Sequence, residues 1–194
     1  MQIRALSAAC LALALSACVS IGGGGEPPES LLTLTPASTA PAGAGSDGDL
    51  STALSVTLPS VPQRLNAIRV PVRVSDSTLA YLQDAYWVEK PAALFQRLVA
   101  ETIRARGSRL VIGGGELEYA AQTQLAGELV AMDYDASRGE VVVIYDAILR
   151  LPDSTVRTQR FEAATSAMPD AISVGPALNR AANDVATQVA DWVD

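Results

Sequence analysis

Residues 122–165 read QTQLAGELVAMDYDASRGEVVVIYDAILRLPDSTVRTQRFEAAT, and this stretch decides the fold. It contains three segments rich in β-branched and apolar residues, at 122–134, 140–151 and 155–165. The intervening Asp135–Gly139 and Pro152–Ser154 have the Asp, Ser, Gly and Pro residues typical of tight turns. Three successive strands joined by short turns predict an antiparallel meander.

Two amphipathic helices are predicted, one before the meander and one after it. The first begins at Pro91, because proline at position N1 lacks only an amide hydrogen that would have no helical partner, and it ends at Gly107. The second runs from about Val174 to Val193, with Leu178, Val185, Val189 and Trp192 on one face. We expect an α+β fold: a mostly antiparallel β-sheet with two amphipathic helices packed on one face.

Shorter strands are expected outside the meander, at Leu31–Leu34, Ala53–Leu58, Ile68–Val74 and Arg109–Ile112. Pro71 interrupts the third of these, and proline cannot donate a ladder hydrogen bond, so we expect an edge strand or an extended loop there. The small-residue segment from Pro36 to Gly48 predicts a loop.

The N-terminus has the layout of a secretory signal. Arg4 precedes an apolar run from Ala5 to Ala14, which is shorter than the roughly 20 residues of a membrane span. Leu15-Ser16-Ala17-Cys18 then resembles the lipobox of bacterial lipoproteins. That resemblance implies a signal peptide over residues 1–17, lipidation of Cys18 including an amide-linked acyl chain such as palmitate, and a Gly/Pro-rich tether over 18–30.

Cysteine content favours lipidation over plain secretion. Cys10 leaves with the signal peptide, so the mature chain keeps one cysteine and cannot form an internal disulfide. Secretion with cleavage near Ala17 and a free Cys18 thiol is the alternative. Val19 and Ser20 place no acidic residue after Cys18, and by resemblance to lipoprotein sorting signals we expect the outer membrane, facing the periplasm. Residues 31–194 then form a single domain.

Composition narrows the function. The net charge is −7 and there is no histidine, which argues against nucleic acid as a partner and removes the commonest general base and metal ligand. Residues 133–139 superficially resemble a calcium loop, but Gly139 falls at position seven and Ile144 at position twelve, so a hairpin turn is the better interpretation. Gly113-Gly114-Gly115 lacks the Lys-Ser/Thr of a phosphate loop. We predict no catalytic residue, metal or cofactor.

Aromatic residues are few, yet three of them fall within seven positions: Tyr81, Tyr86 and Trp87. Large aromatic side chains usually pack, so Trp87 and one tyrosine filling the core ahead of the first helix is one interpretation. The alternative is an exposed aromatic surface that binds a partner protein or a lipid.

The order of these features is similar to the ABC-type transport auxiliary lipoproteins: lipobox, first strands, Tyr81, Tyr86-Trp87, Pro91 and its leucine-rich helix, strand meander, and terminal helix ending near Trp192. Gln122-Thr-Gln-Leu125 departs from the Asp-x-Arg-Leu-like step that often begins the family's meander. The resemblance implies a non-enzymatic accessory of an MCE-type lipid transport system, whose MCE-domain substrate-binding protein would be its partner.

Two other functions stay open at this point. One is a lipoprotein that binds a partner in cell-wall synthesis or envelope assembly. The other is a lipid carrier, which needs an apolar pocket. The sequence also leaves open whether the chain forms a homo-oligomer, and which lipid is transported in which direction.

Overall fold

The computed structural model describes residues 30–45, 47–107, 109–113 and 120–194. The predicted signal peptide, Cys18, the tether before Ser30 and most of the Gly113–Gly115 segment lie outside the described residues. Seven strands and two α-helices are defined within them. The strands are β1 (Leu54–Val56), β2 (Arg69–Ser75), β3 (Thr78–Tyr86), β4 (Val111–Ile112), β5 (Thr123–Asp135), β6 (Glu140–Arg150) and β7 (Val156–Ser166). The helices are α1 (Pro91–Arg106) and α2 (Ala171–Val193), and Gln63–Leu65 forms a turn of 3₁₀-helix.

The predicted meander is confirmed. β5, β6 and β7 pair antiparallel over nearly their whole length. On its other side β5 meets two strands in parallel, β1 at its beginning and β2 at its end. β4 extends the sheet beyond β1, and β3 is the edge strand beyond β2. The result is one mixed, mostly antiparallel sheet of an α+β fold, as predicted.

Both helices pack on the same face of the sheet. α1 has Pro91 in its first turn and ends at Gly107, which adopts φ +69°, as predicted. The Phe95 ring packs edge-on against Tyr145 of β6, with 5.1 Å between ring centroids. At the other end of the layer, Trp192 of α2 packs against Phe161 of β7. Small and aliphatic side chains of α2, chiefly alanine and valine, fill the space between helix and sheet.

The prediction for Pro71 was wrong, because β2 lies inside the sheet between β3 and β5. Pairing with β5 joins Val72 to Tyr134 and Arg73 to Asp135, beyond the proline. On the β3 side the register shifts between Arg69 and Pro71. A bulge next to the proline is where an interior strand tolerates a residue without an amide hydrogen.

The predicted first strand at Leu31–Leu34 is also wrong. Only Leu32 pairs, in an isolated parallel bridge with Trp87. The chain then runs alongside α2, and polar side chains of the helix accept its backbone hydrogen bonds. The Thr35 amide donates to Asn179 Oδ1 at 2.8 Å, and the Ala37 amide donates to Asn183 Oδ1 at 2.7 Å. We call residues 31–40 the strap.

Candidate functional site

The β2–β3 hairpin brings the two predicted tyrosines together around an arginine. Arg69 lies opposite Tyr86, and Pro71 lies opposite Tyr81, so these side chains share one face of the hairpin. The Arg69 guanidinium carbon is 5.1 Å from the centroid of the Tyr81 ring and 5.7 Å from that of Tyr86. Both distances are within the range of a cation–π interaction. We call Arg69, Tyr81 and Tyr86 the arginine–tyrosine patch.

A bulge in β3 makes this arrangement possible. Residues 81 and 86 differ by five positions, so a regular strand would direct their side chains to opposite faces. The four residues between them face a single residue of β2, and Asp84 adopts φ +55° in this stretch. Because the bulge adds residues to β3, the side chains of Tyr81 and Tyr86 both lie on the same face of the hairpin as Arg69.

Arg69 differs from its neighbours in having no acidic partner. Its Nε is buried and has no hydrogen-bond partner, and no carboxylate in the described part of the chain lies within ion-pairing distance. Tyr81 is 39% exposed, and its hydroxyl donates to the carbonyl of Arg64 at 3.3 Å. The patch is therefore a cation held by two rings and open to a further ligand from solvent.

The two adjacent arginines are paired with β5. Arg64 Nε donates to Asp133 Oδ2 at 3.2 Å, and Arg73 lies 4.0 Å from Asp133 and 3.6 Å from Asp135. Burial raises the pKa of Asp133 above its usual range, although the positive charges of Arg64 and Arg73 oppose the shift. Hydrogen bonds from Ser137, and then from the backbone of residues 137 and 138, lower the pKa of Asp135.

Asp135 also settles the interpretation of the 133–139 segment. Its Oδ1 accepts hydrogen bonds from the Ser137 amide, the Ser137 hydroxyl and the Arg138 amide. Gly139 completes the turn with φ +65°. This is the predicted hairpin turn. Across the described residues no group of three or more His, Cys, Asp or Glu side chains is placed to hold a metal ion.

Trp87 lies in the core. It is 1% exposed, and its amide donates to the Ile68 carbonyl at 2.8 Å. The first interpretation is therefore correct for Trp87 but not for a tyrosine, because Tyr81 is exposed and Tyr86 is half-buried. A surface role stays a prediction for Tyr81 and Tyr86 alone. Sequence reasoning missed Arg69. The Arg-x-Pro-x-Arg run of β2 shows a basic strand, but its relation to the tyrosines depends on the pairing of the hairpin.

Several hollows open on the surface of the described part of the domain. One hollow of about 440 Å³ lies between the 40–47 loop and the end of α1, and its lining includes Asp47, Arg104 and Arg109. Another of about 310 Å³ lies beneath the strap beside Leu94 and Leu98. No helix among the described residues is long and apolar enough to cross a membrane.

The sheet and the two helices packed on it form a two-layer α+β domain. The family model described as "ABC-type transport auxiliary lipoprotein component" matches residues 31–190. The chain belongs to this family.

Solved structures agree on the fold. A Xanthomonas campestris protein assigned to the DUF330 family is 19% identical, with a TM-score of 0.68 over 84% of this chain and 94% of that one. A second crystal structure, of an uncharacterized protein, is 12% identical, with a TM-score of 0.66 over 85% of this chain and all of that one. No curated protein sequence matches this chain.

Proposed function

We propose that this chain is a lipid-anchored, non-catalytic component of an ABC/MCE-type intermembrane lipid transport system. Residues 1–17 are its signal peptide, Cys18 carries the lipid, residues 18–30 form the tether, and residues 31–194 form the single docking domain. The anchor holds the domain on the periplasmic face of the outer membrane. ATP hydrolysis belongs to another subunit. Membership of a transport auxiliary family supports the proposal.

The observation that carries the docking role is the unpaired Arg69 cation. A guanidinium that lies over two rings and has no carboxylate of the described residues within ion-pairing distance is preorganised to accept an anion, and arginine binds a carboxylate through two parallel hydrogen bonds. Arginine and tyrosine are also among the residues that contribute most to protein interfaces. The proposed ligand is an acidic side chain or the terminal carboxylate of the MCE-domain substrate-binding protein.

The position of the patch suits a protein ligand. β3 is the edge strand of the sheet, so the patch lies at the rim of the open face and not in a cleft. The chain carries a net charge of −7, which disfavours an anionic membrane surface as the main partner. A partner protein can present a single acidic group to Arg69, whereas an anionic membrane surface would bring many negative charges close to this acidic domain.

Co-purification tests the proposal. The tagged full-length chain is solubilised from cell envelopes, and its partners are identified and quantified. We expect an MCE-domain protein with the wild type, and recovery reduced roughly tenfold for Arg69→Ala, because a charge-assisted hydrogen bond contributes about 1.5–3 kcal/mol. Arg69→Lys keeps the charge but not the planar stacking, so it should fall between the two.

Arg157→Ala is the matched control. Arg157 stacks on Trp192 at 4.9 Å, so this variant removes the same kind of contact from another part of the molecule. Its recovery of the MCE-domain protein should equal that of the wild type. Equal losses for Arg69→Ala and Arg157→Ala would contradict a role for the patch. Recovery of a cell-wall synthase in place of an MCE-domain protein would favour the alternative function.

A further inference from the structure

We infer that one end of the domain, with Val74, Leu79, Met168 and Ile172 on its surface, rests on the bilayer that holds the lipid anchor. We call these four residues the tether end. The inference deepens the proposed function and rests on the lipidation of Cys18. It adds a contact surface and an orientation to a chain that would otherwise be held only by its tether.

Four large apolar side chains at this end are open to solvent. Val74 and Leu79, on the two strands of the β2–β3 hairpin, are 47% and 54% exposed. Met168, in the loop between β7 and α2, is 67% exposed, and Ile172, in the first turn of α2, is 88% exposed. Exposed apolar side chains that gather in one region mark an interaction surface.

The β5–β6 turn brings these segments together. On one side, the Ala136 amide donates to the Arg73 carbonyl at 2.9 Å, next to Val74. On the other side, the Ala167 amide donates to the Gly139 carbonyl at 3.1 Å, next to Met168. The hairpin tip and the start of α2 therefore flank the same turn, and their apolar side chains belong to the same end of the molecule.

The direction of the strap brings the anchor to this end. Leu32 lies over Gly175, where a Cβ atom would come within 2.7 Å of its Cδ2. Thr35 then bonds to Asn179, and Ala37 bonds to Asn183. The strap and α2 thus run in the same direction, and the chain before Leu32 leads toward the first turn of the helix.

The number of residues between Cys18 and Ser30 limits the distance between the start of the strap and the membrane. Ser30 and Cys18 are twelve positions apart, and twelve residues span at most about 40 Å. Leu31 is 49% exposed at the point where the strap begins. An apolar surface held within this distance of a bilayer meets it far more often than it meets a freely diffusing protein.

Charge at this end suits a neutral headgroup layer. The carboxylates near the turn are satisfied within the domain: Asp135 is paired with Arg73, and Glu140 lies 2.7 Å from Arg138. Asp170 accepts hydrogen bonds from the Ser173 amide and hydroxyl. Asp76, exposed at the hairpin tip between Val74 and Leu79, adds a negative charge to this end, which favours contact with a neutral bilayer over an anionic one. Apolar side chains beside arginines are typical of protein surfaces that enter the interfacial layer of a bilayer.

Depth-dependent quenching tests the inference on the full lipidated chain. The mature sequence has no cysteine other than Cys18, so Ile172→Cys can be labelled specifically with a bimane probe. The labelled protein is reconstituted into phosphatidylcholine vesicles that contain lipids with a doxyl quencher near the headgroup. Val156→Cys is the matched control, because Val156 is 56% exposed but lies at the start of β7, ten positions before Ser166, where the strand ends at the β5–β6 turn.

We expect bound protein to float with the vesicles and the probe at position 172 to be quenched several-fold more than the probe at position 156. Adding Met168→Asp should reduce the quenching at position 172 without reducing flotation. Flotation with equal quenching at the two positions, or with none, would overturn the inference and leave the anchor intact. Failure to float, with a Cys18 peptide mass that lacks a diacylglyceryl group, would overturn the proposed anchor and this inference with it.

Discussion

Asp133 and Asp135 are two positions apart on β5, yet the fold shifts their pKa values in opposite directions. Burial raises the pKa of Asp133 from its ordinary value of 3.8. The folded state therefore binds a proton at pH values where the unfolded chain has lost it. The stabilisation due to this proton is complete below about pH 3.8 and is lost as the pH rises through the folded-state pKa.

We predict that Asp133→Asn becomes more stable relative to the wild type, by its free energy of unfolding, as the pH rises from about 4 to 7. Asparagine has no charge to bury, whereas the wild-type aspartate loses its proton over this range.

Asp135→Asn should behave in the opposite way. Its wild-type carboxylate has a lowered pKa, so its contribution is present above about 3.8 and is lost as the pH falls through the folded-state value. Urea unfolding from about pH 2 to pH 7 measures both differences, and parallel profiles would contradict the assignment. Each unit of pKa shift corresponds to about 1.4 kcal/mol.

Gly127 is a second position where one side chain decides stability. It adopts φ +154° opposite Ala147 of β6, and the Tyr145 ring lies over it. A Cβ atom here would meet the Asp146 carbonyl oxygen at 2.1 Å and the Tyr145 ring at 2.9 Å. We expect Gly127→Ala to cost about 3 kcal/mol through strain and overpacking, which lowers the melting temperature by about 10 °C.

Gly139→Ala separates the two causes of that loss. Gly139 also has positive φ, at +65°, but nothing lies within 4 Å of a Cβ atom there. Its substitution should cost only the left-handed backbone strain, about 1 kcal/mol. If thermal unfolding gave the two variants the same loss, the close contact at Gly127 would not matter to stability.

At the scale of elements, the strap depends on one helix side chain. Asn183 is 8% exposed and donates to the Thr35 carbonyl at 3.0 Å while it accepts from the Ala37 amide. Asn183→Ala leaves both strap groups unpaired and should destabilise the domain by about 2 kcal/mol in urea unfolding. Hydrogen exchange at the Ala37 amide should accelerate more than global unfolding accounts for.

Asp184→Ala is the control for the strap. Asp184 is the next residue of α2 and is exposed, so its removal should change stability by less than about 0.5 kcal/mol and leave exchange at Ala37 unchanged. An Asn183→Ala variant as stable as this control would show that the strap is held by its apolar contacts alone.

The elements that could be predicted from the sequence are those in which the turn and capping residues indicate the same structure as the pattern of apolar residues. α1 combines a starting proline, a closing glycine and one apolar face, and the meander combines turn residues with strand composition. β3 was not predicted, because most of its residues are exposed and a bulge near Asp84 breaks its alternation. The Leu31–Leu34 segment resembles a strand, but its bonds go to a helix that lies more than 140 residues away.

The candidate site was predictable only in part, for a similar reason. Aromatic density alone selected Tyr81 and Tyr86. Arg69 is twelve and seventeen positions earlier, and nothing local connects it to either ring. Trp87 stands next to Tyr86 in sequence but faces the core, where Leu32 pairs with it. Adjacent residues of a strand face opposite sides of the sheet, and the bulge in β3 determines which side each of them faces. Amino-acid composition does not reveal where that bulge lies.

At the scale of the whole molecule, the two proposed surfaces are separate. The arginine–tyrosine patch lies at the beginning of β2, and Val74 of the tether end lies five residues further along the same strand, about 17 Å away at the rise of an extended strand. With the tether end against a bilayer, the strands of the hairpin rise from the membrane, and the patch faces sideways above it. A partner that crosses the periplasm can reach the patch without displacing the membrane contact.

This separation predicts that the two surfaces can be removed independently. Arg69→Ala should reduce recovery of the MCE-domain partner roughly tenfold and leave quenching of a probe at position 168 unchanged. Ile172→Asp should abolish most of that quenching and leave partner recovery from detergent extracts unchanged. Sites that share no contacts act independently, so the double variant should lose partner recovery as Arg69→Ala does and quenching as Ile172→Asp does, each to the same extent as the single variant. A quenching change in Arg69→Ala, or a recovery change in Ile172→Asp, would mean that a single surface serves both contacts.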